Sequence, residues 1–254
     1  MIVEVVNTSK VELLFREWQE TLIWSCIQGV MGKIYADERE NPKSAMAILG
    51  DFCFLAGEVK KELITYKSEC CKNDFIIMVP QNDDWSDAIQ EVYGYKAKKV
   101  TRYAIKKEQN IFDIEKLEHI VSCLSDEYQW KALDETDFTQ CKKTDWAKDL
   151  VSQYENFQEF QKLGLGIVIL KNGEIVAGAS SYARYKEGIE VEIDTKECYR
   201  RKGLASVCGA KLILECLSRG LYPSWDAQNL GSVALAEKLG YHFSHEYTAY
   251  EIWG

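Results

Sequence analysis

The stretch Gly188–Ala205, GIEVEIDTKECYRRKGLA, decides how this chain reads. Ile189, Val191 and Ile193 alternate with Glu190, Glu192 and Asp194, which is the period of a strand with one buried face. Arg200, Arg201, Lys202 and Gly203 follow closely. From Leu204 onward the apolar residues take helical spacing through Val207, Cys208, Leu212, Leu214 and Leu217. A strand feeding a basic, glycine-containing helix start is an anion site, because unpaired N–H groups and the positive end of the helix dipole converge there. Gly203 lets an anion approach the backbone closely.

On either side of this stretch the pattern is α+β. Gly166–Leu170 and Glu174–Tyr185 flank Lys171, Asn172 and Gly173, and Asn-Gly between strand-like runs signals a hairpin. Tyr128–Leu133 reads as a strand, and two helical segments are expected between Asp137 and Phe160. After the long helix Gly203–Arg219 come a short strand Tyr222–Ala227, a helix Leu230–Leu239 and a last strand Tyr247–Trp253. Upstream, the spacing predicts one helix over Val11–Val30, strand-like stretches Ala45–Glu58 and Phe75–Val79, a helix Trp85–Val92 and a strand Lys98–Lys106. A helix Ile111–Leu124 bridges to the second region. The reading is two domains, residues 1–112 and 113–254. Gly94-Tyr95 before Thr101-Arg102-Tyr103 echoes Gly240-Tyr241 before Thr248-Ala249-Tyr250, which makes the first domain a candidate degenerate repeat of the second.

Composition bounds the function. The chain has 254 residues, 46% hydrophobic and 28% charged, with three prolines, as expected of a folded globular protein. No apolar run reaches the roughly 18 residues of a membrane span, and the N-terminus lacks the pattern of a signal peptide, so a cytoplasmic protein is expected. The net charge of −9 disfavours nucleic acid as a partner and favours cationic ones. Nine cysteines, an odd number without an export signal, read as reduced thiols. Adjacent Cys70 and Cys71 are a poor zinc pattern, and His119, His242 and His245 form no HExxH, so no metal is expected. Gly164-Leu165-Gly166 leads into a strand rather than out of one, which excludes a dinucleotide fingerprint. No phosphate-loop motif and no G-x-S-x-G elbow occur.

Arg200-Arg201-Lys202-Gly203-Leu204-Ala205 resembles the R/Q-x-x-G-x-G/A signature of the GNAT superfamily of N-acetyltransferases. Asn229-Leu230-Gly231-Ser232, followed by Glu237-Lys238-Leu239-Gly240-Tyr241, is similar to that superfamily's later segment. The likeness covers about residues 113–254, and the whole chain resembles a bacterial GNAT family with an extra N-terminal region. It implies a mixed, mostly antiparallel sheet flanked by helices, preceded by a smaller α/β domain. It also implies acetyl-CoA as cofactor. Arg200, Arg201, Lys202, Gly203, Leu204 and Ala205 would hold the pyrophosphate. Ile193 and Thr195 would offer backbone groups to the pantetheine arm, and Asn229 and Ser232 would bind further along the cofactor.

The chemistry implied is direct attack of an amine on the thioester. The ammonium must first lose a proton, and a carboxylate can take it. Glu190, Glu192 and Asp194 share a strand face at intervals of about 6.6–6.8 Å. Crowding raises carboxylate pKa values. Glu192 is the first candidate base and Glu190 the second, with Asp194 and Asp226 as acceptor-binding candidates. Asp226 is alternatively a helix cap. The tyrosine that many relatives use as general acid is replaced by Ala236. Tyr241 and Tyr247 are near in sequence, but no acid is assigned. The acceptor is expected to be a small cationic amine, and a homodimer is open. The rival readings are another acyl-CoA donor, a non-catalytic acyl-CoA sensor, and a protein-interaction module.

Overall fold

A computed structural model describes residues 1–68 and 75–253. Cys70 and Cys71 lie outside the described residues. The chain forms two compact units, Met1–Arg102 with Glu246–Gly254, and Tyr103–His245. The strands form two mostly antiparallel sheets.

The first unit contains β1 (Val3–Glu4), α1 (Glu12–Phe15), α2 (Thr21–Ile27), β2 (Lys33–Ala36), β3 (Ser44–Leu49), β4 (Phe52–Gly57), α3 (Lys61–Ile64), β5 (Phe75–Pro80), α4 (Asp83–Tyr93) and most of β6 (Ala97–Ile105). Neighbouring strands from β1 to β4 run antiparallel, and β4 pairs with β5 in parallel. The single helix expected over Val11–Val30 is instead the two short helices α1 and α2. Gln81 Nε2 donates to the Leu14 carbonyl at 2.8 Å, the acceptor that a continuous helix would give to Trp18. Trp18 turns its ring edge onto Phe54, and Leu13 is 72% exposed rather than part of a buried stripe. Tertiary contacts override the spacing there.

The second unit contains α5 (Ile114–Ser122), β7 (Gln129–Ala132), α6 (Glu135–Lys142), α7 (Phe157–Leu163), β8 (Gly166–Lys171), β9 (Glu174–Tyr185), β10 (Gly188–Thr195), α8 (Leu204–Ser218), β11 (Tyr222–Ser224), β12 (Asp226–Ala227), α9 (Leu230–Leu239) and the start of β13 (Phe243–Trp253). Its sheet runs β7-β8-β9-β10-β11, antiparallel except for the parallel β10–β11 pair. Ile167, Ile169, Ala177, Ala179, Ile189 and Val191 meet α8 and the residues around α5 in one core. Each large aliphatic side chain buried this way contributes about 1.5–3 kcal/mol. Gly209 lets α8 sit close, because a Cβ there would lie 2.7 Å from Leu239 and 3.1 Å from Ile193. On the other side of the sheet, Ser180 Oγ donates to the Leu150 carbonyl at 2.6 Å. Tyr154 reaches Ser181 there and joins the aromatic cluster of Phe138, Phe157 and Phe160.

The two units share one topology. In each, the first five strands lie in sequential order with the same directions. Each has two helices after the first strand, one between the fourth and fifth, and one after the fifth. The repeat echoed by the Gly-Tyr pairs is therefore visible as architecture. β13 serves both: Tyr250–Trp253 pairs with β5 in the first unit.

Candidate active site

The site begins where two parallel strands part. β10 pairs with β11 only at Gly188–Tyr222, Ile189–Pro223 and Glu190–Ser224. The chain then breaks at Trp225, and β12 pairs with β6 instead, Asp226 opposite Ala104. The expected strand Tyr222–Ala227 is thus two strands. β10 continues to Thr195, paired on its other edge to β9.

The Lys196 N–H donates to the Val176 carbonyl of β9 at 3.0 Å. Antiparallel pairs alternate between bonded and non-bonded positions, so Asp194 and Glu192 also bond toward β9. Ile193 and Thr195 present their backbone groups to the side on which β11 has ended. Thr195 uses both of its groups locally: its N–H donates to Asp194 Oδ1 at 3.2 Å, and its carbonyl accepts from Arg200 Nε at 3.2 Å. Its buried Oγ1 has no hydrogen-bond partner.

Beyond Thr195 the chain makes a turn that could cradle an anion. Arg201 has φ +60° and Gly203 has φ +82°, both left-handed. Alternating left- and right-handed residues turn successive N–H groups inward. α8 starts at Leu204 with no side-chain cap, leaving its first amides to another acceptor. A Cβ on Gly203 would meet nothing within 4 Å, so the space before those amides is open. Lys202 Nζ rests 4.9 Å over the Tyr199 ring, and the Arg200 and Arg201 side chains are exposed. Leu204 is buried and Ala205 half-buried in the first turn.

α9 is capped by Asn229, whose Oδ1 accepts from the Ser232 N–H at 3.0 Å. The cap considered for Asp226 therefore belongs to Asn229. The Ser232 hydroxyl accepts from Trp225 Nε1 at 3.0 Å, fixing the break between β11 and β12. Asn229 and Ser232 thus have structural work whatever else they bind.

Glu190, Glu192 and Asp194 occupy one face of β10, turned away from α8. Glu190 is 7% exposed and lies at the root of the parting strands, within electrostatic reach of Tyr185, Tyr222 and Tyr241. Glu192 and Asp194 are half-buried. Partial burial, together with the nearby Asp149 carboxylate, pushes Asp194 up to about 6 against the opposing pull of its bond from Thr195 and of Arg200. Asp149, in the turn Lys148–Leu150, is also raised by burial. No spacing rule marks Asp149, which reaches the site only through the packing of Leu150 on β9.

Ala236 is fully buried, so the usual tyrosine position offers no hydroxyl. The Tyr241 hydroxyl donates to the Pro223 carbonyl at 2.6 Å, and burial holds it well above its ordinary pKa, which makes it structural. Tyr247 lies in the first unit, with its hydroxyl 3.3 Å from Arg102 Nε. Burial pushes the Cys141 and Cys216 thiols up to about 12, and Cys208 higher still. Cys198 is exposed.

Among the described residues, the first unit lacks these features. β4 stays paired with β5 through Leu55, and the Gly57 N–H donates to Gln81 Oε1 at 2.9 Å. Trp85 Nε1 donates to the Gly57 carbonyl at 2.9 Å, sealing the strand end. α3 has only four residues where α8 has fifteen.

A strand pair that parts after three residues, followed by a left-handed nest at a long helix, is the geometry of the candidate site. A family model described as GNAT acetyltransferase matches residues 12–250, and the chain belongs to that family. It is 26% identical over 241 residues to the uncharacterized N-acetyltransferase YdfB of Bacillus subtilis (strain 168), covering 91% of this chain and 89% of that one. The crystal structure of a GCN5-related N-acetyltransferase-like protein from Streptococcus suis 89/1591 is 46% identical. It superposes with a TM-score of 0.91, covering 98% of each chain. A tandem GNAT protein from the clavulanic acid biosynthesis pathway shares the fold at a TM-score of 0.54 and 7% identity, covering 100% of this chain and 98% of that one. Among the described residues no helix is long and apolar enough to cross a membrane.

The residues present fit acetyl-CoA. The open space before the α8 amides suits a pyrophosphate, with Arg200, Arg201 and Lys202 supplying charge. The outward groups of Ile193 and the partnerless Thr195 Oγ1 suit an amide-rich arm laid along the strand.

Proposed function

We propose that the second unit transfers the acetyl group of acetyl-CoA to the amine of a small cationic acceptor by direct attack. The observation that supports this best is the freed edge of β10 running into the nest at Arg200–Gly203. An arm held at the nest and extended along that edge crosses about five residues, or roughly 17 Å, before the root of the parting strands. That brings the thioester alongside Glu190 and Glu192.

The thioester supplies the acyl carbon and a thiolate leaving group. Glu192 accepts the proton of the acceptor ammonium, directly or through water, with Glu190 the second candidate. The freed amine then bonds to the acyl carbon as the C–S bond breaks. A thiol of ordinary pKa, about 8.5, leaves as thiolate without a general acid, so Ala236 is compatible with turnover. The charge of −9 favours cationic acceptors.

The test is Glu192→Gln with saturating acetyl-CoA and a panel of amines read by mass spectrometry. Loss of a positioned base should lower kcat by roughly 10²–10⁴-fold without changing acetyl-CoA affinity. Unchanged turnover would remove Glu192 from the role.

A further inference from the structure

The outer faces of α5 and α8 frame a groove that the acetyl-transfer reading does not use. Ile114, Glu118 and Val121 recur along α5, and Lys211, Leu214 and Leu217 along α8, at steps of three or four residues, so each helix turns one stripe into it. Trp130 of β7 lines it too. Val121, Leu214 and Leu217 are half-buried against the core of the second unit and give the groove an apolar floor. Ile114 is 44% exposed and Trp130 42%. A single exposed apolar side chain is ordinary, whereas two on one apolar groove mark an interaction surface.

The groove also carries one charge of each sign, and neither is matched. The Glu118 carboxylate makes no hydrogen bond and no ion pair among the described residues. The Lys211 ammonium has only the Trp130 ring, 4.4 Å from its centroid. Further along α8, by contrast, Glu215 is paired with Arg219. An occupant that fits must bring an apolar side chain for the floor, an acid for Lys211 and a base for Glu118. The two helices carry that set themselves. Ile114 stands exposed on α5 with Glu118 one turn further on, and Lys211 faces them from α8. A copy turned by a two-fold axis presents the same set in reverse, because across such an axis each contact between two residues occurs twice with the roles exchanged.

We infer that the chain forms a homodimer in which α5 of each protomer seats in the α5–α8 groove of its partner. Ile114 of one protomer covers the apolar floor of the other. The partner's Glu118 meets Lys211, and the partner's Lys211 meets Glu118. The carboxylate face of β10 is turned away from α8, so this surface is independent of the acetyl-transfer reading.

Sedimentation velocity of the full chain from about 1 to about 100 µM tests the dimer, with circular dichroism to check that each variant is folded. The wild type should sediment at twice the chain mass at the top of this range. Glu118→Lys and Lys211→Glu each set like charges against each other in both symmetry-related pairs, and each should weaken the dimer at least about tenfold. The double variant exchanges the charges and should recover the wild-type dissociation constant to within about threefold. Ile114→Asp, at an exposed position in the first turn of α5, should leave the chain folded and monomeric. A wild type that stays monomeric throughout would overturn the dimer and give the groove to an unlike partner. A dimer that survives all three single substitutions would overturn it as well, since association would then use another surface. Folded, weakened single variants whose combination does not recover would overturn the reciprocal pairing.

Discussion

Replacing Gly203 with Asp puts a negative charge where the structure leaves open space before the α8 amides. No neighbour lies within 4 Å of a Cβ there, so the substitution causes no clash. The backbone stays at φ +82°, which costs an L-residue about 1–2 kcal/mol of stability. The usual stabilising Asp cap is not available, because that cap needs an extended backbone. Against a bound pyrophosphate about 5 Å away, one added charge costs about 3 kcal/mol at an effective dielectric of 20, somewhat less with screening. A penalty of roughly 2–3 kcal/mol weakens binding about 30- to 140-fold. Gly203→Ala carries the same backbone strain without the charge and should lose less than about tenfold on the same scale. Calorimetric titration of acetyl-CoA into wild type and both variants, with thermal unfolding of each free protein, separates the two effects. The Asp deficit should shrink in high salt, while the Ala deficit should hold. A folded Gly203→Asp protein that binds within about threefold of wild type would refute the nest, since a site that ignores this charge lies elsewhere.

Two further outcomes follow from the same geometry. Calorimetry should report one acetyl-CoA per chain, because Gln81 and Trp85 seal the strand end of the first unit; two sites of similar affinity would contradict that seal. Asp194, raised from 3.8 to about 6, binds its proton more tightly folded than unfolded, so its contribution is present below about pH 4 and lost as pH rises through about 6. After discounting for partial exposure, Asp194→Asn should be more stable than wild type by roughly 1–2 kcal/mol at pH 7 and equal to it near pH 3. Urea unfolding at both pH values checks the sign, and a variant less stable than wild type at pH 7 would reverse it.

Much of the geometry of the candidate cofactor site was legible because it is local in sequence. Alternation over Ile189–Ile193, the basic turn and the helical spacing after Gly203 are short-range patterns, and strand, nest and helix form where they stand. The acceptor side was not legible in the same way. Asp149 arrives through the Ser180–Leu150 bond, a pairing across 30 positions that no periodicity encodes. The break at Trp225 was missed because its cause, the bond to Ser232, lies in the next helix. The split of Val11–Val30 depends on Gln81, 67 positions from Leu14. The backbone use of Thr195 by Arg200 and Asp194 is geometry within a turn, and residue type does not encode it.

The repeat shows how little separates the unit that carries the candidate site from one that keeps only the fold. In both units the first five strands run in the same order and directions, with helices in the same places. In the second, the fourth and fifth strands part after Glu190 and Ser224, and a fifteen-residue helix follows that starts with no side-chain cap. In the first, Gln81 continues the pairing with its own N–H to Leu55 and closes the edge with its side chain on Gly57. A backbone edge satisfied from within has no free groups for an arm to bond. A four-residue helix also aligns too few peptide dipoles to draw an anion. Opening the first unit would therefore take two changes together, removal of the Gln81 bonds and extension of α3. Removing the Gln81 bonds alone exposes unpaired backbone without creating an anion site, and extending α3 alone leaves the edge closed.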